Sequence, residues 1–260
     1  MSCRSPPMTL PPKTSYLLCT SPRSGSTMCC DLLASTRVAG NPNSFFRPQS
    51  IADFCSAWDV PETAIETFDQ SYIDTALERG SAGTGCFGMR IMFSNMASLQ
   101  ARLTQLYPDA DADVTRLSKA FGPLRFIHLT RTNKVAQAIS YVRAEQSGLW
   151  HRHSDGRERE RSPIDAESGY DHAQIAEKYK LLMGEKSGWT QWFNENAIKP
   201  LTITYEDLAA DPHREMRRVF AYLDLSIDGL AQMACDTSRL SDVTSIEWET
   251  RFRAEAGLAL

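Results

Sequence analysis

The chain has 260 residues, 42% hydrophobic and 23% charged, with 14 Gly and 13 Pro, proportions that exclude collagen-like, coiled-coil and wholly disordered chains. Its 28 Lys+Arg against 32 Asp+Glu leave a formal net charge of −4. No overall positive field therefore draws it to nucleic acid or an acidic membrane, and any anion must be held by a local arrangement.

In chain order, residues 1–14 read as a flexible Pro-rich arm without the apolar core of a secretory signal. Residues 15–260 read as one domain, since alternating α/β folds fill about 200–250 residues around a single core. Short apolar runs predict strands at 16–20, 38–40 (weakly), 86–93, 124–131 and 201–205. Helical periodicity predicts helices at 27–36, 62–79, 96–107, 134–146, 171–194 and 213–223. The nearly all-polar stretch 151–168 predicts a mobile loop. No apolar run approaches the ~20 residues needed to span a bilayer. Strands alternating with helices argue for a central parallel sheet flanked by helices, with ligands bound beyond the C-terminal strand ends.

Seven cysteines (3, 19, 29, 30, 55, 86 and 235) lack C-x-x-C spacing or a nearby His. Neither a zinc site nor a disulfide framework is expected, so no metal is implied and a reducing cytoplasm is the expected compartment.

The segment YLLCTSPRSGSTMCCDLL (16–33) reads as strand, tight loop and helix. Thr20, Ser21, Ser24, Ser26 and Thr27 supply hydroxyls, Gly25 allows close backbone approach and Arg23 adds a positive charge, so the loop suits an anion at a helix N-terminus. A plain Ser/Thr-rich connection to an N-capped helix is the bland alternative. No Gly-Lys-Ser/Thr occurs, against a Walker A loop. Cys19 and Arg23 are spaced too closely for a Cys-based phosphatase, so Cys19 is expected in the core.

The loop Thr20-Ser21-Pro22-Arg23-Ser24-Gly25-Ser26-Thr27 resembles the 5′-phosphosulfate loop of sulfotransferases that use 3′-phosphoadenosine 5′-phosphosulfate (PAPS). More narrowly, the chain resembles the bacterial trehalose 2-sulfotransferase-like family, with S-x-R-S-G-S-T here. The resemblance implies a P-loop-like sulfotransferase fold, with Arg23, Ser24, Gly25, Ser26 and Thr27 on the donor's phosphosulfate. Arg23 would also be catalytic, neutralising charge that spreads from the sulfonate to the leaving phosphate oxygen.

A second segment, LRFIHLTRTNKVAQAISYVRAEQ (124–146), places Arg131 at a strand end and Ser140 on the following helix. Val135, Ile139 and Val142 make an apolar stripe, whereas Ala136, Ser140 and Arg143 make another that leaves room for a ligand. The family resemblance puts Arg131 and Ser140 on the donor's 3′-phosphate, where a guanidinium fork suits two oxygens. An Arg salt bridge beside an exposed Ser is the alternative.

On the acceptor side, Val38-Ala39-Gly40-Asn41-Pro42-Asn43-Ser44-Phe45-Phe46 resembles a family segment whose Glu takes the acceptor proton. Ser44 stands at that Glu position, and a serine is no base at neutral pH without a partner. The base must come from elsewhere, with Asp53, Glu62, Glu66, His151 and His153 as candidates, or Ser44 only orients the acceptor. His151 follows Trp150, an aromatic type that sugars stack on, although both histidines also suit a solvated loop. Asn41, Ser44, Phe46, Arg90 and Trp150 are the acceptor-side residues; Arg90 matches a basic family position, with a strand-end ion pair as its rival. Trp189 and Trp192 share a helix face and read as core.

Near the C-terminus, Arg251 and Arg253 lie in a segment similar to the family's last nucleotide-side stretch, and an amphipathic helix is the equal rival. The expected activity is sulfonate transfer from PAPS to a carbohydrate hydroxyl of a trehalose-like sugar, a glycolipid or a lipopolysaccharide sugar, with Ser44 favouring a glycan other than trehalose, without a metal, in a homodimer by family resemblance. A non-catalytic module that binds PAPS or adenosine 3′,5′-bisphosphate is the rival from another class, and a nucleoside kinase a third.

Overall fold

Tyr16, Leu17, Leu18 and Cys19 are all fully buried, which a strand achieves only when both faces of its sheet are covered. The computed structural model describes residues 12–60, 70–153, 155–164, 168–235 and 242–259. Its main sheet is parallel and four-stranded, in the order β2 (Cys86–Met92), β1 (Thr14–Thr20), β3 (Leu124–Thr130), β6 (Leu201–Thr204). Alternate side chains feed two cores. Leu17 and Cys19 join Phe87, Met89, Phe126 and Trp189 on one face. Tyr16 and Leu18 join Leu32, Leu33, Ile127, Ile203 and Phe220 on the other.

The helices are α1 (Ser26–Ser35), α2 (Ile51–Trp58), α3 (Gln70–Ser81), α4 (Phe93–Leu106), α5 (Asp113–Phe121), α6 (Lys134–Ser147), α7 (His172–Glu195), α8 (Tyr205–Ala210), α9 (Pro212–Leu223) and α10 (Val243–Ala256). Among the described residues no helix is long and apolar enough to cross a membrane. From β1 the chain moves to β2 on one side, and from β3 to β6 on the other. That reversal opens a crevice between the C-terminal ends of β1 and β3, the place where such sheets bind ligands.

Several elements differ from the sequence reading. Residues 38–40, expected as a weak strand, form a bend, because the Ala39 carbonyl accepts from Tyr16 Oη (2.8 Å) in place of a sheet neighbour. The nearest strand-like contact is one parallel bridge between Asn43 and Met89. Of the helix expected at 62–79, residues 62–69 lie outside the described ones and α3 begins at Gln70.

The polar stretch 151–168 is not without regular structure. It contributes to an antiparallel hairpin, β4 (Leu149–Arg152) with β5 (Glu158–Arg161). Its charges find partners: Arg159 pairs with Asp31 of α1 and Arg161 with Glu158, while Trp150 Nε1 donates to Ser162 Oγ (2.9 Å). Helices α2, α5 and α8 are too short for periodicity to reveal; α8 starts at Tyr205, a residue expected to end a strand.

Candidate functional site

The loop after β1 turns on two left-handed residues, Arg23 (φ 60°) and Gly25 (φ 83°). A Cβ at Gly25 would lie 2.5 Å from Tyr205 Cδ2, so only glycine fits both the backbone angle and the ring. Gly25 is also the N-cap of α1 and offers no side-chain cap. The first N–H groups of α1 therefore lack an intrahelical or side-chain acceptor and carry the helix's positive end. Behind the loop, Trp189 Nε1 donates to Thr20 O (2.8 Å), and the Thr20 and Ser24 hydroxyls bond to each other. Cys19 is core as expected, with burial pushing its thiol pKa well up.

The two sequence anchors meet. Arg23 Nε donates to Ser140 Oγ (3.0 Å), and Arg131 Nη1 donates to Arg23 O (3.4 Å). The Arg131 guanidinium lies 4.7 Å from the Tyr205 ring centroid. Glu206, the next residue, accepts from the backbone N–H of Thr132 and Asn133 and so holds the turn between β3 and α6. Asn133 then caps α6 by accepting from Ala136 N (2.9 Å). Burial, then the neighbouring Arg131, lower the Arg23 pKa to about 10, which leaves it charged at neutral pH.

These groups line a cavity of about 710 Å³ at the crevice. Arg23, Gly25, Ser26 and Thr27 form one wall, Arg131, Ala136, Ser140 and Arg143 another, and Trp150, His151 and Glu160 of the hairpin a third. The stripe Val135, Ile139 and Val142 is buried against α7 and α10, as its periodicity predicts. Arg143 is committed to Asp242, which caps α10.

Of the residues expected on the acceptor side, Arg90 lines the cavity and donates to three hydroxyls: Ser44 Oγ (2.8 Å), Thr27 Oγ1 (3.0 Å) and Ser26 Oγ (3.3 Å). Trp150 presents its carbonyl to Arg23 Nη1 (2.5 Å). His151 Nε2 lies 3.1 Å from Thr27 Oγ1. Burial, then Arg23, Arg90 and Arg159, lower the His151 pKa to about 3, so its imidazole is neutral at pH 7 and a weak proton acceptor.

Other expected site residues fall elsewhere. Phe46 is buried in the core against Tyr72 and Phe121, where its ring area is sheltered from water. Asn41 is outside the cavity lining, its N–H donating to Gly80 O. Arg251 pairs with Glu255 over the Tyr170 ring, and Arg253 with Glu249 and Asn133; neither lines the cavity. From that helix Ser245, Ile246 and Glu249 do. Asp53 and His153 are not part of the lining either, and Glu62 and Glu66 lie outside the described residues.

Sequence reasoning missed Gln137, Tyr205 and Glu160. Gln137 Nε2 donates to Ser21 Oγ (3.0 Å) and Pro22 O (2.6 Å), and its Oε1 accepts from Lys134 Nζ (2.8 Å). Its position three residues before Ser140 on one helix face was the available signal. Among the described residues no group of three or more His, Cys, Asp or Glu is placed to hold a metal ion.

The Stf0 sulphotransferase family model matches residues 15–255. The trehalose 2-sulfotransferase of Mycobacterium tuberculosis (strain Erdman) is 30% identical over 93% of this chain and 95% of its own length. That of Mycolicibacterium smegmatis is 28% identical over 94% of this chain and 96% of its own.

Proposed function

The chain belongs to the Stf0 sulfotransferase family, and from that premise we propose that it moves a sulfonate from PAPS to a carbohydrate hydroxyl. The observation that carries the donor assignment is the bond between Arg23 and Ser140, which joins an uncapped helix N-terminus to a second cationic wall across the crevice. One pocket then suits both ends of a nucleotide phosphorylated at its 3′ and 5′ positions. The α1 N–H groups and the hydroxyls of Ser24, Ser26 and Thr27 hold the 5′-phosphosulfate, and Arg131 with Ser140 the 3′-phosphate.

The acceptor oxygen attacks sulfur as the bond from sulfur to the 5′-phosphate oxygen breaks. The products are a sulfate ester, adenosine 3′,5′-bisphosphate and one proton. Arg23 neutralises the charge that grows on the leaving oxygen. Arg90 and Trp150 face the sugar, and Ser44 orients it through Arg90. Both relatives named above are trehalose sulfotransferases, so trehalose is the first acceptor to test. The family resemblance also supports a homodimer, which the molar mass in solution tests.

Calorimetric titration with adenosine 3′,5′-bisphosphate and with 5′-AMP tests the donor site. The wild type should prefer the bisphosphate by at least about tenfold, the worth of one strong charged contact, and Arg131→Ala should abolish that preference. Equal affinity for both nucleotides in the wild type would refute the assignment.

A further inference from the structure

Sulfonate transfer to a hydroxyl releases a proton, and the residues nearest the loop are poor bases. Ser44 accepts from Arg90, and His151 faces Arg23, Arg90 and Arg159. Three carboxylates line the cavity among the described residues: Glu160, Asp242 and Glu249. Asp242 is bound to Arg143 and caps α10. Glu249 is bound to Arg253 and accepts from Asn133 Nδ2 (2.8 Å). Among the described residues Glu160 forms no arginine salt bridge; its Oε2 lies 3.6 Å from His151 Nε2.

We propose that Glu160 is the general base that takes the acceptor proton, placed beside His151 and the donor loop by the register of the hairpin. Glu160 and His151 are direct cross-strand partners in the hairpin, which fixes one against the other. The same His151 nitrogen reaches Thr27 of the loop (3.1 Å), so the carboxylate stands one side chain away from the phosphosulfate site. Its side chain is 54% exposed, leaving room for a hydroxyl to approach from the cavity. Arg159 ties the hairpin to α1 through Asp31 (Nη2 to Oδ1, 2.9 Å) and holds this wall in place. In the reaction the acceptor O–H breaks, its proton passes to the Glu160 carboxylate, and its electron pair forms the new O–S bond.

The inference rests on the proposed sulfonate transfer, and the test separates the two. Transfer from PAPS is measured with trehalose and with water as acceptors, across pH, in wild type, Glu160→Gln and Glu158→Gln. Among the described residues the charged groups acting on His151 are Arg23 on the loop, Asp31 on α1, Arg90 on β2 and Arg159 on β5, and Arg23 also faces Glu160; all are retained in these variants. Glu160→Gln should lower kcat by about a hundredfold or more and remove the acid limb of the pH profile. Bisphosphate affinity should stay within about twofold of the wild type, and Glu158→Gln should keep the wild-type rate and profile. A Glu160→Gln enzyme with normal rate and acid limb would overturn the assignment of the base alone. Loss of bisphosphate affinity in that variant would also overturn it, by showing a structural role. A wild type that transfers to neither acceptor would overturn the sulfonate-transfer reading and the inference with it.

Discussion

Replacing Gln137 by Leu keeps the approximate side-chain volume but removes every polar contact of a residue that is 0% exposed. Pro22 O and Ser21 Oγ lose their donor, and the Lys134 ammonium loses its 2.8 Å acceptor and keeps Thr130 Oγ1 at 3.4 Å. Two neutral hydrogen bonds left half-made in the interior cost about 1–1.5 kcal/mol each, and the charged one about 1.5–3. The expected loss is therefore about 3.5–6 kcal/mol, a large share of the ~5–15 kcal/mol by which domains are stable. Urea unfolding should show a lower midpoint at unchanged slope. Adding Lys134→Met should recover part of the loss, because the stranded cation is then gone, giving a coupling above about 0.5 kcal/mol. The peptide between Pro22 and Arg23 is released as well, so bisphosphate affinity should fall by about tenfold. A loss below about 2 kcal/mol, with no coupling to Lys134, would refute the view that this glutamine pins the loop.

Two further consequences concern the same region. Gly25→Ala places a Cβ 2.5 Å from the Tyr205 ring at φ 83°, which costs about 1–2 kcal/mol in the backbone and pushes the ring off Arg131. Bisphosphate affinity should drop by at least about tenfold, with the circular dichroism spectrum unchanged; unaltered affinity in calorimetry would contradict this packing. Burial, then Lys134 and Lys186, lower the His128 pKa from 6.5 to about 4. Between those values the unfolded chain binds a proton that the folded one does not, so stability rises with pH across that window. His128→Asn should flatten this part of the curve of unfolding free energy against pH, and an unchanged slope would count against it.

The loop after β1 and the β3–α6 turn, both lining the cavity, were legible because each is a local pattern, a strand end followed by polar residues and a helix start, and each is compact in sequence. Glu160 was not legible, because it lies in a stretch of alternating charges that composition equates with solvent. Only the hairpin's register, and the pairing of Arg159 with Asp31, turn that stretch into a wall of the cavity. Phe46 lies in the core for the opposite reason: an aromatic residue beside a motif expected on the acceptor side satisfies core packing equally well, and burial against Tyr72 and Phe121 decided its place. Arg251 and Arg253 point where the rotation of α10 takes them, which is set by Trp248 and Phe252 packing on α6.

By itself the sequence determined the alternation of strands and helices, the loop chemistry after the first strand and the arginine at the end of the third. These depend on interactions between near neighbours, which residue order specifies directly. Tertiary structure decided that Arg23 meets Ser140, that Gln137 holds Ser21 and Pro22, and that a carboxylate reaches His151. The first two contacts link residues more than a hundred positions apart. They exist because the strand order β2, β1, β3, β6 reverses at one crevice, a property of the assembled sheet that no local pattern carries.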